Sequence, residues 1–303
     1  MKKSRILILC LAAVMVAAGI SACGSSGNTT SEKDKGSLSG DVSVIASKGA
    51  GAESLSDLGS DYKVKTFDKT DSVISKIKGG DYDAAIVSAN TAAQLYNETD
   101  GEVIAVSPVV LGDLYVLTNG LDISDQSMTS LRGRTITACC KNETGEYALE
   151  KLLKDNYVNP EYSITFDWVD TPEEVETALK EQYSAAVLQE PYVSQVLKDN
   201  KDVEKAIDLN SLWYDSYAGN IPTDVLVVSK SFAEKRSSDL KIFLSDYGDS
   251  LDKAKKTSGC DLVLYSESNR GTRILKDYYK IIYDFDADSL GGSIPGNGFY
   301  YNK

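Results

Sequence analysis

Four short polar segments each follow an apolar run, and their residue types suit capture of a small molecule better than catalysis. They are Ser47-Lys48-Gly49-Ala50-Gly51, Ser88-Ala89-Asn90, Asn142-Glu143-Thr144-Gly145 and Gln189-Glu190-Pro191-Tyr192. Hydroxyls, amides and glycine backbone hydrogen-bond a polar solute without reacting with it. The candidate ligand-binding residues are therefore Ser47, Lys48, Gly49, Ser88, Asn90, Asn142, Thr144, Gln189 and Glu190. Lys48 stands in the first segment and Lys141 immediately before the third, equivalent loops where they could clamp an anion or simply be solvated. No Arg falls in any of the four, which weakens the case for the bidentate grip that sulfonates and carboxylates often receive. Glu190 points the same way, because a buried carboxylate prefers a donor or a cation. Trp213, with Tyr214 and Tyr217, could cover a planar ligand or fill the core, and Trp213 completes the candidate set. A planar, neutral or cationic heterocycle would use the amides, Glu190 and an aromatic face together. A small inorganic anion would use only the lysines.

Composition excludes much else. The 303 residues contain no His, which removes His-based triads, His general bases and most zinc sites. No catalytic residue, cofactor or metal is expected. Asp284-Phe285-Asp286-Ala287-Asp288 hints at a calcium loop, but counting from Asp284 the sixth and twelfth positions are Ser289 and Pro295, not Gly and Glu. Cys139 and Cys140 close an apolar run and read as small buried residues. With Cys260 they make three thiols, which is no disulfide framework.

The chain opens with Lys2, Lys3 and Arg5, an apolar run from Ile6 to Ile20, and then Ser21-Ala22-Cys23. A basic head and a short apolar segment ending in small residues make a secretory signal, and Cys at the cut supplies a thiol for acylation. Residues 1–22 are expected to be a lipoprotein signal peptide, with Cys23 as lipid anchor. Gly- and Ser-rich residues 23–40 are expected to form a flexible linker. Removing residues 1–22 takes away three positive charges and moves the net charge from −13 to −16. So acidic an exported protein disfavours nucleic acid as a partner.

The segments are positioned by alternating strand and helix patterns, the mark of an α/β fold. Strand patterns cover Val42–Ala46, Val64–Phe67, Ala84–Val87, Val103–Val106, Leu114–Leu117, Thr135–Cys139, Ile164–Val169 and Asp224–Ser229. Helix patterns lie between them, one running from the Gly51 loop through Leu58, and helices at Phe232–Tyr247, Asp249–Lys256 and Ile274–Tyr283 close the chain. Tyr82-Asp83-Ala84-Ala85 is echoed 101 residues later by Tyr183-Ser184-Ala185-Ala186, which implies two similar lobes joined by two connections. The expected lobes are 41–116 with 226–303, and 117–225, bending near Tyr115–Thr118 and Asp224–Val228.

Gly80-Asp81-Tyr82-Asp83-Ala84-Ala85, Leu111-Gly112-Asp113-Leu114, Leu131-Arg132-Gly133-Arg134, Glu146-Tyr147-Ala148-Leu149, Gln189-Glu190-Pro191-Tyr192 and Gly291-Gly292-Ser293-Ile294-Pro295 occur in an order that resembles ABC-transporter solute-binding lipoproteins. The group most similar is the nitrate, sulfonate, taurine and thiamine-pyrimidine-precursor family. The resemblance implies the two-lobed type II periplasmic-binding fold with a two-strand hinge. It also implies a small-molecule ligand, an ABC permease and ATPase complex as partners, and a monomer held by lipid at the outer face of the bacterial cytoplasmic membrane. Where the family often reads Gly-Pro-Thr, this chain has Ser47-Lys48-Gly49-Ala50-Gly51, and Gly145 replaces a Pro before Glu-Tyr-Ala-Leu. Both departures fall where ligand would be read. A ligand-sensing subunit of a signalling receptor is the alternative, and a pyrimidine-synthase-like enzyme a further one that the missing His disfavours.

Overall fold

The computed structural model describes residues 36–123, 127–139 and 141–301. The expected signal peptide, Cys23, most of the expected linker and Cys140 lie outside the described residues.

In chain order the described elements are β1 (Val42–Ser47), α1 (Ala50–Glu53), β2 (Tyr62–Phe67), α2 (Thr70–Gly79), β3 (Ala84–Ser88), α3 (Ala89–Glu98), β4 (Val103–Leu111) and β5 (Leu114–Asn119). Next come β6 (Thr135–Ala138), α4 (Thr144–Asp155), β7 (Thr165–Trp168), α5 (Pro172–Ala178), β8 (Ser184–Gln189), α6 (Tyr192–Asp199), β9 (Val203–Asp208) and α7 (Leu209–Tyr217). The last are β10 (Pro222–Ser229), α8 (Lys230–Lys235), α9 (Ser237–Ala254), β11 (Asp261–Leu262) and α10 (Arg270–Phe285).

The strands are apolar at nearly every position because both of their faces are covered. Successive side chains of a strand point to opposite faces. In β3, Ala84 and Ile86 enter one core while Ala85 and Val87 enter another; in β10, Leu226 and Val228 separate in the same way from Val225 and Val227. Near-continuous Val, Ile and Ala runs of this kind belong to mostly parallel sheets sandwiched by helices.

Two sheets result. One has the order β11-β4-β10-β3-β1-β2 and the other β7-β6-β8-β5-β9. In each, the strand that arrives from the other sheet is inserted antiparallel: β10 between β3 and β4, and β5 between β8 and β9. Aligning the two orders makes β3 the counterpart of β8, so the echoed Tyr82 and Tyr183 segments enter equivalent strands. This is the α/β, two-sheet architecture expected, with two connections between the halves.

The crossings lie a few residues ahead of the boundaries read from sequence. Residues 115–118 are paired throughout within the second sheet, and 224–228 within the first. The chain passes between sheets at Gly112-Asp113 and just before Pro222. Gly112 has φ +61°, and a Cβ there would sit 2.1 Å from the Asn210 amide carbon, so any other residue is strained and displaces Asn210. Its N–H donates to the Ile221 carbonyl at 2.9 Å, and the Ile221 N–H donates to Asn210 Oδ1 at 3.1 Å. The two crossings are therefore held side by side.

Other differences have local causes. The helix expected through Leu58 is a single turn, α1. The closing helices break at Arg236 rather than beside Gly248: the Arg236 guanidinium donates to the Gly40 carbonyl and to Asp239, holding its backbone at φ −125°. Segments α6, α7, β9 and β11 were not resolved by the alternation.

One hydrophobic core carries residues of both sheets, including Ile45, Val87 and Val225 from the first and Val116, Ile136 and Val187 from the second. Trp213 of α7 sits in it, 1% exposed, with its ring 4.6 Å from Tyr217 and 5.6 Å from Tyr278 of α10.

Candidate functional site

In open α/β sheets the strands deliver loops and helix N-termini to their carboxyl edge, where ligands bind. A cleft of about 280 Å³ opens there, and it is lined from both sheets. The first contributes Ser47 and Lys48 after β1, Asp68 to Asp71 after β2, and Ser88 at the end of β3. The second contributes Cys139, Lys141, Asn142 and Glu143 after β6, Val169, Asp170 and Pro172 after β7, and Gln189 at the end of β8. Asp224 reaches it from the antiparallel strand β10.

Local conformation sets these side chains. Asn142 lies in the left-handed region at φ +63°, which Asn tolerates better than most residues, and it turns the chain so that Glu143 becomes the N-cap of α4. Ser88 caps α3 by accepting from the Thr91 N–H at 3.2 Å. Thr171 and Glu174 form a capping box on α5, with Pro172 at its first position.

Charges meet across the opening. Lys69 Nζ of the first half lies 2.6 Å from Asp170 Oδ2 of the second, and Lys48 Nζ lies 2.5 Å from Asp68 Oδ1. Each partner raises its lysine's pKa, and Lys69 lowers that of Asp170. All four side chains are well exposed, so solvent screens these pairs and they add little stability.

The part-buried carboxyls behave differently. Glu143 is pushed up to about 7, first by burial and then by the charges of Asp224 and Asp71, with the Thr70 hydroxyl bond opposing. Asp224 also rises to about 7 through burial and the nearby Asp113 charge, against a hydrogen bond from the Gly51 N–H. Behind them Asp113, 1% exposed, is raised to about 7 by burial, and neither of its carboxyl oxygens has a hydrogen-bond partner. The neighbouring Thr223 hydroxyl donates instead to the Val110 carbonyl at 3.3 Å.

Of the residues singled out from sequence, Ser47, Lys48, Ser88, Asn142 and Gln189 line the cleft together. Gly49, at φ +146°, stands at its edge: a Cβ there would lie 3.6 Å from the Gln189 amide nitrogen. The other four do not line it. Asn90 is fully buried, donating from its backbone N–H to Thr144 Oγ1 at 3.2 Å and accepting from the Tyr278 hydroxyl at 2.6 Å. It and Thr144 thus join α3 to α4 rather than facing solute. Glu190 is the buried turn residue just past the end of β8. It accepts from the Ser194 N–H at 3.0 Å and from Lys205 Nζ at 3.4 Å. Trp213 is a core residue with no open face.

Sequence reasoning missed Asp68 to Asp71, Glu143, Asp170 and Asp224. The strand-end rule applied to β2 and β7 would have found the first and third groups. Asp224 follows no parallel strand and carries no such signal.

No described helix is long and apolar enough to cross a membrane. No group of three or more His, Cys, Asp or Glu among the described residues could hold a metal ion.

Comparison with known proteins agrees with this layout. No curated protein matches the chain. Among solved structures, an ABC transporter from Parabacteroides distasonis is similar at TM-score 0.63 and 17% identity, covering 87% of this chain and 99% of that one. The ligand-binding component of an ABC-type import system from Staphylococcus aureus, solved with zinc bound, gives TM-score 0.62 at 12% identity, with coverage of 86% and 98%. The periplasmic aliphatic sulphonate-binding protein of Escherichia coli gives 0.55 at 13% identity, with coverage of 86% and 76%. At these identities the likeness is one of fold. The profile described as ABC transporter, phosphonate, periplasmic substrate-binding protein matches residues 56–278. Taken with the two-sheet fold and the cleft at its strand ends, that match places the chain in the phosphonate ABC-transporter periplasmic substrate-binding protein family.

Proposed function

We propose that this protein is the lipid-anchored solute receptor of an ABC importer: it closes two lobes on a small polar molecule and delivers it to a permease and ATPase complex. The observation that carries this reading is the cleft itself. It collects the carboxyl ends of β1, β2, β3, β6, β7 and β8 from both sheets. A ligand that touches both sides favours the closed arrangement differentially, which is what shifts such an equilibrium. The Lys69–Asp170 pair spans the same opening. Among residues named from sequence, Ser47, Lys48, Ser88, Asn142 and Gln189 are the proposed contacts, joined by Thr70, Glu143 and Asp224.

A thermal-shift screen with phosphonates, sulfonates, amines and heterocycles tests it, followed by ATPase assays with the cognate permease complex. A solute at a hundred times its Kd adds about 2.7 kcal/mol of stability. At least one solute should raise the melting temperature and, loaded on this protein, stimulate the transporter. If no class of solute did either, the receptor reading would fail.

The anchor is proposed at Cys23, where the basic and apolar leader meets the Gly- and Ser-rich stretch. Several acyl chains hold firmly, since each buried CH₂ contributes about 0.8 kcal/mol. Cys23→Ala is expected to abolish labelling with radioactive palmitate and to release the protein from the membrane fraction. Unchanged labelling of that variant would place the anchor elsewhere.

A further inference from the structure

A second, much smaller cavity of about 10 Å³ adjoins the cleft, and Cys139 and Gln189 line both. It lies between the second sheet and α4. The strands supply Leu114, Ala138, Trp168 and Val187 to its wall, and the helix supplies Gly145 and Leu149. Leu114, Ala138, Leu149 and Val187 are each no more than 6% exposed, so this wall is core rather than surface.

Room of this size holds one water or one methyl group, and the chemistry of the wall separates the two. A buried water needs two to four polar partners, whereas these side chains offer carbon. Glu146 also borders the cavity, but its carboxylate accepts from the Asn142 N–H. An unfilled gap forfeits the dispersion contacts of every atom around it, and interiors otherwise pack without such gaps. An apolar group that entered would restore those contacts and leave water at the same time.

Gly145 keeps the space open. Residues four apart share one face of a helix, so position 145 stands one turn before Leu149 on the face that α4 buries against the sheet. A side chain at 145 would take up the room, and Gly has none.

We propose that this cavity is the apolar end of the solute site: the polar part of the solute stays in the cleft while a terminal methyl group reaches past Cys139 and Gln189 into the space beside Gly145. The inference rests on reading the cleft as the solute site. Such a pocket selects by length. A chain one carbon short leaves the gap, and one carbon too long presses on core residues that do not yield.

The test is calorimetry on the intact folded chain with unbranched alkylphosphonates, alkanesulfonates and alkylammonium ions of one to five carbons. In the series whose head the cleft accepts, affinity should rise about fourfold per carbon until the terminal methyl fills the cavity, then fall about tenfold with the next carbon. Two variants should move that maximum in opposite directions. Gly145→Ala places a methyl group in the cavity and should make the best chain one carbon shorter; Val187→Ala enlarges the cavity and should make it longer. Ala forms helix better than Gly, so Gly145→Ala should melt no lower than the parent, which separates a changed preference from a damaged fold.

Affinity that climbs with chain length without a maximum, or a maximum that either folded variant leaves in place, would overturn the inference and leave the receptor reading intact. A solute of another class found in the broad screen is judged by the same variants: equal affinity for the parent, Gly145→Ala and Val187→Ala would overturn the inference as well. Failure of every solute class overturns the receptor reading instead.

Discussion

Trp213→Ala is expected to cost about 3–5 kcal/mol of unfolding free energy, the usual penalty for emptying a buried aromatic site. Trp213 is 1% exposed and lies between Tyr217 of its own helix and Tyr278 of α10. Tyr278 in turn donates its hydroxyl to Asn90 Oδ1 at 2.6 Å, so the indole supports the side chain that ties α3 to α4. Because these elements serve both sheets, the loss should appear as a lower midpoint in urea with little change in slope. Solute affinity per folded molecule should be nearly unchanged. The contrary result, a loss below about 1 kcal/mol accompanied by loss of solute binding, would mean that Trp213 faces the ligand, the other of the two roles its sequence allowed.

Asp113→Asn should stabilise the protein, and only at neutral to alkaline pH. The Asp113 carboxyl is raised to about 7 in the folded chain by burial, against about 3.9 when unfolded. Between those values the folded state keeps a proton that the unfolded state has lost, so this group makes stability fall as pH rises from about 4 to about 7. Above 7 its full cost is present. Asn carries no charge to desolvate, although its amide still lacks ready partners. The expected gain is about 1–3 kcal/mol at pH 8, shrinking to zero or a slight loss at pH 5. Denaturant titrations of both proteins at the two pH values decide it. Equal differences at pH 5 and pH 8 would show that Asp113 is already satisfied, and would weaken the case that it presses negative potential on Asp224.

Much of this was written in the linear pattern. Runs such as Val42–Ala46 and Ala84–Val87 are apolar on successive residues, which only a strand covered on both faces allows, and that fixed the fold class before any contact was known. The repeated Tyr-x-Ala-Ala segments marked strands that prove topologically equivalent. The absence of His, the acidic balance and the polar residues after each strand narrowed function to capture.

The sequence by itself therefore determined most strands and helices, the twofold plan and five of the residues that line the cleft, because these depend on local periodicity and on which residue ends a strand. Only the tertiary structure decided which polar groups share a space. Glu190 lies one residue past the end of β8, where no periodicity sets its direction, and the turn carries it to the Ser194 N–H and Lys205. Helical spacing cannot say what covers Trp213, and α10, some sixty residues away, does. Asp224 enters the site from a strand inserted antiparallel after the chain has crossed twice between sheets. Its charge matters there because folding has placed it beside Asp113 and Glu143, a juxtaposition that depends on long-range packing and leaves no periodic trace.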